Sequence, residues 1–144
     1  MALEIPYISI PTLDCMAYPF SAFPGLILPL IDAKKACFFS AFYRGNSLLS
    51  DYSDLPPDLI IDKLEEIRVS ENEPVILTGP GAELFLSRLN KPIKHSFVSP
   101  LFNRAKAWEL LHISKSIIIK EETDVDLGPL YLRKSDAELS KSQY

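Results

Sequence analysis

From Leu26 to Ile31 the chain reads LILPLI, six apolar residues in a row, preceded by Gly25 and closed by Asp32. A strand with one wet face alternates apolar and polar residues, whereas an unbroken run suits a strand covered on both faces. The sheet holding this strand therefore has a layer of structure on each side. The longer apolar stretch around it is no membrane span. Pro19, Pro24, Gly25 and Pro29 interrupt it well before the ~20 residues that a crossing helix needs. With 144 residues, 47% of them hydrophobic, the chain has enough apolar surface for one ordinary core.

The neighbouring segments supply the rest of such a sheet. LEIPYISI reads as a strand entering a helix, with Thr12 as its N-cap and Asp14 in the first turn. ACFFSAFY, residues 36–43, reads as a second strand, and Gly45 and Asn46 as a hairpin turn into a third, making a central antiparallel pair. LPPDLIIDKLEEIRV changes to helical spacing, with Ile60, Leu64 and Ile67 on one face and Pro56 and Pro57 tolerated in the first turn. A strand over 74–77 leads through the turn at 78–81 into a helix using Leu84, Phe85 and Leu89. A strand near 93–98 precedes a helix with Ser99 as N-cap and Pro100 at its first position, packing through Leu101, Ala105, Trp108 and Leu111. Leu130 to Leu132 forms a closing strand, followed by the charged run Arg133 to Glu138. Strands and helices interleave, so the fold class is α/β, a mixed sheet with flanking helices.

The formal charge of −4 and pI near 5.2 argue against a broad basic surface that holds nucleic acid by its phosphates. Cys15 and Cys37 lack zinc or redox spacing and read as buried free thiols. The sharpest local feature is ILTGPGAE, residues 76–83. A strand, a glycine-rich turn and a helix N-terminus aim backbone N–H groups at one point, which makes Gly79, Pro80 and Gly81 candidates for holding a phosphate or a nucleobase edge. The segment is not GxxxxGK[ST] and has no following lysine, so a plain tight turn is the competing reading. Asp32 at its strand's carboxyl end is the second candidate, able to hold a cation or orient a water; a capped or ion-paired carboxylate is its alternative. His95 and His112 lack partners at metal-ligand spacing, and Ser9, Ser40 and Ser99 lack a nucleophile elbow. Arg104 lies one helical turn from Trp108, an arrangement that suits a core tryptophan edged by arginine, or else a binding hot spot. No complete catalytic set and no metal site emerges from these spacings.

Four segments, IPYISIPTLDCMA, LPLIDAKKACFFSAFY, ILTGPGA and GPLYLRKSDAE, resemble in order and spacing the C-terminal lobe of the TsaB (YeaZ) family. That family is the dimerisation subunit of the bacterial tRNA threonylcarbamoyladenosine synthase. The resemblance implies one lobe of an actin-like, ribonuclease-H-like ATPase fold over residues 1–138, with 139–144 a flexible tail. It also implies a non-catalytic scaffold that partners the catalytic TsaD-type subunit alongside a TsaE-type ATPase, in the cytoplasm, without direct nucleic-acid or membrane contact. An ATP-binding enzyme or a metallopeptidase-like protein of the same superfamily is the alternative. The family's N-terminal lobe, with its Asp-Thr-Ser and Gly-Pro-Gly-Ser-Phe-Thr-Gly type motifs, has no counterpart in this sequence. Where the family has an arginine-rich stretch and a glutamate, this chain reads KKACFF, with Cys37 in the acid's place. No cofactor is therefore expected, and ATP with magnesium only if a further lobe supplies the other half of the site. An apolar face left where that lobe would pack implies self-association.

Overall fold

The computed structural model describes residues 8–99, 106–119 and 132. In chain order these form α1 (Thr12–Ala17), a short 3-10 helix (Tyr18–Phe20), β1 (Leu26–Asp32), β2 (Phe38–Ser40), β3 (Tyr43–Arg44), β4 (Ser47–Leu48), β5 (Ser53–Leu55), α2 (Pro57–Ile67), β6 (Val75–Thr78), α3 (Ala82–Ser87), β7 (Ser96–Val98) and α4 (Ala107–Ile119).

β1 is the centre of the sheet. It pairs antiparallel with β2 and β3 along one edge and parallel with β6 along the other, and β7 continues the parallel side. The sheet is therefore mixed, as expected. The registers Ile27↔Tyr43 and Leu30↔Ser40 belong to one continuous pairing, which places Pro29 opposite Ala41. Proline has no N–H to donate to a ladder. That missing bond is why the expected single strand over 36–43 divides into β2 and β3.

Both faces of β1 are covered, which explains its unbroken apolar sequence. Leu26, Leu28 and Leu30 join Ile60 and Leu64 of α2, Phe85 of α3 and Phe38 in one buried cluster. Ile27 joins Leu13 and Ala17 of α1, Ala41 and Tyr43 in a second. α2 starts on Pro57 after Pro56 and buries Ile60 and Leu64, as its spacing predicts. Arg68, just beyond α2, donates to the carbonyls of Glu73 (2.6 Å) and Lys94 (2.7 Å), tying down the approaches to β6 and β7.

Several expectations need correction. The hairpin pair β3–β4 lies at the sheet's rim, two residues on each side, and not at its centre. Its turn has a positive φ at Gly45 (59°) alone, the pattern of a type II′ turn. Thr12 is the first residue of α1 and not its cap; Pro11 occupies the cap without a side-chain hydrogen bond. Residues 8–10 lie in irregular backbone. The strand near 93–98 shortens to β7 because His95 adopts φ 54°, outside the strand region.

The largest departure concerns α4. Trp108 and Leu111, expected on its packing face, are 64% and 61% exposed. The helix instead presents Glu109, His112 and Ile113 inward: Glu109 is 3% exposed, His112 and Ile113 are half-buried, and His112 stacks on Tyr18 of the 3-10 helix at 6.3 Å. Glu109 also accepts the Lys106 N–H at 3.0 Å, the N3 half of a capping box. The calls on Leu101, Arg104, Ala105 and Pro100 lie outside the described residues, as do the charged tail and the proposed strand from Leu130, save that Leu132 sits in irregular backbone. Among the described residues no helix is long and apolar enough to cross a membrane.

Candidate functional site

The two sequence candidates meet. β1 and β6 run parallel side by side, so Asp32 and the turn Gly79–Gly81 emerge together at their carboxyl ends. Gly79 has φ 89°, and a Cβ there would lie 2.5 Å from the Leu30 carbonyl oxygen and 3.2 Å from Met16 Sδ. At Gly81 a Cβ would come within 3.0 Å of the Asp32 nitrogen and the Leu30 oxygen. The turn thus lies against the β1 backbone, which only glycine permits. Thr78 before it is fully buried.

This contact uses the amides that a ligand would otherwise meet. The Gly81 N–H donates to the Leu30 carbonyl at 2.9 Å and the Ala82 N–H to the Gly79 carbonyl at 3.2 Å. Pro80, exposed at the tip, has no N–H. α3 is six residues long and carries Glu83 in its first turn, an acid that opposes a bound anion there.

Asp32 is held by its own loop. Oδ1 accepts the Lys34 backbone N–H and Oδ2 the Lys34 ammonium, each at 2.9 Å. The ammonium bond, then the backbone bond, lowers the Asp32 pKa from the usual carboxylate range. Lys34, Lys35 and Ala36 adopt φ of 63°, 50° and 63° in succession, a left-handed turn closed by Cys37 N–H on the Lys34 carbonyl at 2.9 Å. Cys37 is half-buried and not in the core. A left-handed non-glycine residue costs about 1–2 kcal/mol, and glycine's extra unfolded-state freedom offsets roughly half of that. Ala36→Gly is therefore expected to stabilise the fold by about 0.5–1 kcal/mol, seen as a higher urea midpoint with unchanged slope.

His95 and His112 lie on separate elements. His95 is exposed, its carbonyl accepting the Val75 N–H, and His112 also contacts Trp108 at 4.1 Å. Among the described residues no group of three or more His, Cys, Asp or Glu side chains is placed to hold a metal ion.

On the other side of β1 lies a cluster that the sequence did not announce. Tyr43 and Tyr52 each donate a hydroxyl to Asp14 Oδ1 at 2.6 Å. Burial first, then the Asp14 carboxylate, drives both phenols' pKa values upward, so both remain O–H donors at any ordinary pH. The adjacent Cys15 thiol is pushed up to about 11 by burial, with Asp14 and Glu109 adding to it, so it stays a thiol at neutral pH. Asp14 is 29 residues from Tyr43 and 38 from Tyr52. No local spacing could have joined them.

No family model and no curated protein matches the sequence. Among solved structures the chain is similar to an uncharacterized Pseudomonas aeruginosa protein that itself has similarity to peptidase YeaZ. That match has TM-score 0.63 and 18% identity, and covers 89% of this chain and 59% of the other. YeaZ from Pseudomonas aeruginosa gives TM-score 0.61 and 16% identity, with 88% of this chain and 60% of that one covered. The fold is thus YeaZ-like, a mixed sheet flanked by helices of the actin-like, ribonuclease-H-like kind. The chain spans about 60% of the length of these structures.

Proposed function

We propose that the chain is a non-catalytic interaction protein of the YeaZ/TsaB kind, supporting tRNA threonylcarbamoyladenosine modification by partnering a TsaD-type catalytic subunit, with a TsaE-type ATPase as a further component. The observation that carries this reading is the YeaZ-like fold over 89% of the chain, joined to the four ordered sequence segments. A second feature fits it. Trp108, Leu111 and Ile118 of α4 stand 64%, 61% and 55% exposed, and their spacing of three and seven residues puts them on one helical stripe. Tryptophan is enriched among the residues that anchor partner surfaces, and a contiguous exposed apolar patch marks such a site. In this reading Gly79, Pro80, Gly81 and Asp32 shape one end of the sheet and would meet at most one side of a nucleotide. ATP with magnesium belongs there only if another lobe completes the site.

The test is co-purification with light scattering against the TsaD-type subunit of the same genome. A stable complex is expected, weakened at least about tenfold by Trp108→Glu while circular dichroism is unchanged. A chain that ignores that subunit and forms only a homodimer would overturn the reading. A marked rise in melting temperature with ATP and magnesium would favour the enzyme alternative, since a ligand that binds only the folded state stabilises it.

A further inference from the structure

The Asp14 cluster borders a cavity of about 350 Å³ between α1, the β3–β4 hairpin and α4. Its size falls at the lower end of the ~300–1,000 Å³ typical of ligand sites. Tyr18, Tyr43 and Leu48 give it apolar and aromatic wall, and Asn46 and Ser116 give it polar edges. Among the described residues Asp14 is the one charged side chain in that lining.

The two oxygens of Asp14 differ. Oδ1 receives both tyrosine hydroxyls, while Oδ2 has no hydrogen-bond or ion-pair partner among the described residues. Both phenols are neutral donors, so the carboxylate's charge is solvated but not cancelled. Glu109 is a second negative group acting on the adjacent Cys15, and its side chain spends Oε2 on the Lys106 backbone N–H. Among the described residues the site is thus a concave, partly aromatic surface whose lining carries a carboxylate with no cationic partner. Ser116 donates its hydroxyl to the Ile113 carbonyl at 2.7 Å, which leaves its oxygen as a second acceptor.

We infer that this cavity binds a small organic ammonium ion, with the ammonium on Asp14 Oδ2 and the carbon chain along Tyr18 and Leu48. An ammonium supplies the donors that Oδ2 and Ser116 lack, and aromatic faces attract such cations. A divalent metal fits less well, because it asks for several carboxylate or carbonyl oxygens where this lining offers one carboxylate, half committed. Nothing in this inference depends on the interaction role proposed above.

The experiment is a two-dimensional amide NMR titration of the whole chain with n-butylammonium chloride, and with 1-butanol as the neutral probe of the same shape. The expected result is saturable shifts centred on Asp14, Tyr18, Tyr43 and Leu48, with butanol at least about tenfold weaker, the difference of one charge-assisted hydrogen bond. Asp14→Asn should lower butylammonium affinity by at least about the same factor. Leu48→Trp, at a residue 44% exposed on the rim, keeps the tyrosine network and should abolish binding by filling the cavity. If the Asp14 variant fails to fold, Leu48→Trp decides alone. Equal binding of butanol, shifts scattered over the acidic surface, no saturation, or undiminished binding by Leu48→Trp would each overturn the inference.

Discussion

A Gly79→Ala variant is expected to lose about 3 kcal/mol of folding stability, read as a lower urea midpoint at unchanged slope. Two costs combine. Gly79 holds φ 89°, where an alanine is strained by about 1–2 kcal/mol. Its Cβ would also stand 2.5 Å from the Leu30 carbonyl oxygen, and that oxygen cannot retreat, because it belongs to the central strand and already accepts the Gly81 N–H. Relief by backbone shift costs a further ~1–3 kcal/mol. Gly81→Ala separates the two costs. Its φ is an ordinary −91°, so it should show only the crowding, about 1–2 kcal/mol. Pro80→Ala at the exposed tip should change stability by less than about 0.5 kcal/mol. Equal, small effects at Gly79 and Gly81 would mean that the turn does not press on β1.

That ordering bears on how the glycines are understood. A glycine-rich turn between a strand and a helix raises the expectation of a phosphate cradle, because the same backbone freedom serves close approach to a ligand or to another strand. The partner of approach here is the β1 backbone. The sequence alone could not choose, since the atoms that decide, Leu30 oxygen and Asp32 nitrogen, lie about fifty residues away.

The same distinction separates what was legible from what was not. The buried run of β1, the α2 spacing and the strand–turn–helix around Gly79 to Gly81 were legible because each is settled by neighbours in sequence or by covering both faces of one strand. α4 was not. Its sequence AWELLHISKSIII spreads apolar groups around the helix, so the stripe through Trp108 and Leu111 was one of several that the spacing allowed. The inward face was set by contacts with α1 and the 3-10 helix, through His112 on Tyr18 and the buried Glu109. The Asp14, Tyr43 and Tyr52 cluster was hidden for a related reason. Asp14 reads as an ordinary first-turn acid and the tyrosines as strand or loop residues until the sheet brings all three together.

Phe85 is where the glycine turn and the core act as one unit, and Phe85→Ala is expected to cost about 3–5 kcal/mol. The ring is fully buried and meets Phe38 edge-to-face at 5.4 Å, while the Arg88 guanidinium lies 5.2 Å from the Phe38 ring centre. Truncation therefore removes the bulk of α3's anchor and leaves Phe38 facing a void. Phe85→Leu, which keeps most of the volume, should cost less than about 1.5 kcal/mol. The Phe85 N–H donates to the Gly81 carbonyl at 2.8 Å, so the anchor and the turn share one short helix. If α3 docks as a single body, a strained turn at Gly79 already loosens what Phe85 holds. The double variant Gly79→Ala, Phe85→Ala should then lose less than the sum of the two, by at least about 0.5 kcal/mol. Strict additivity would show that the turn and the ring attach α3 to the sheet independently.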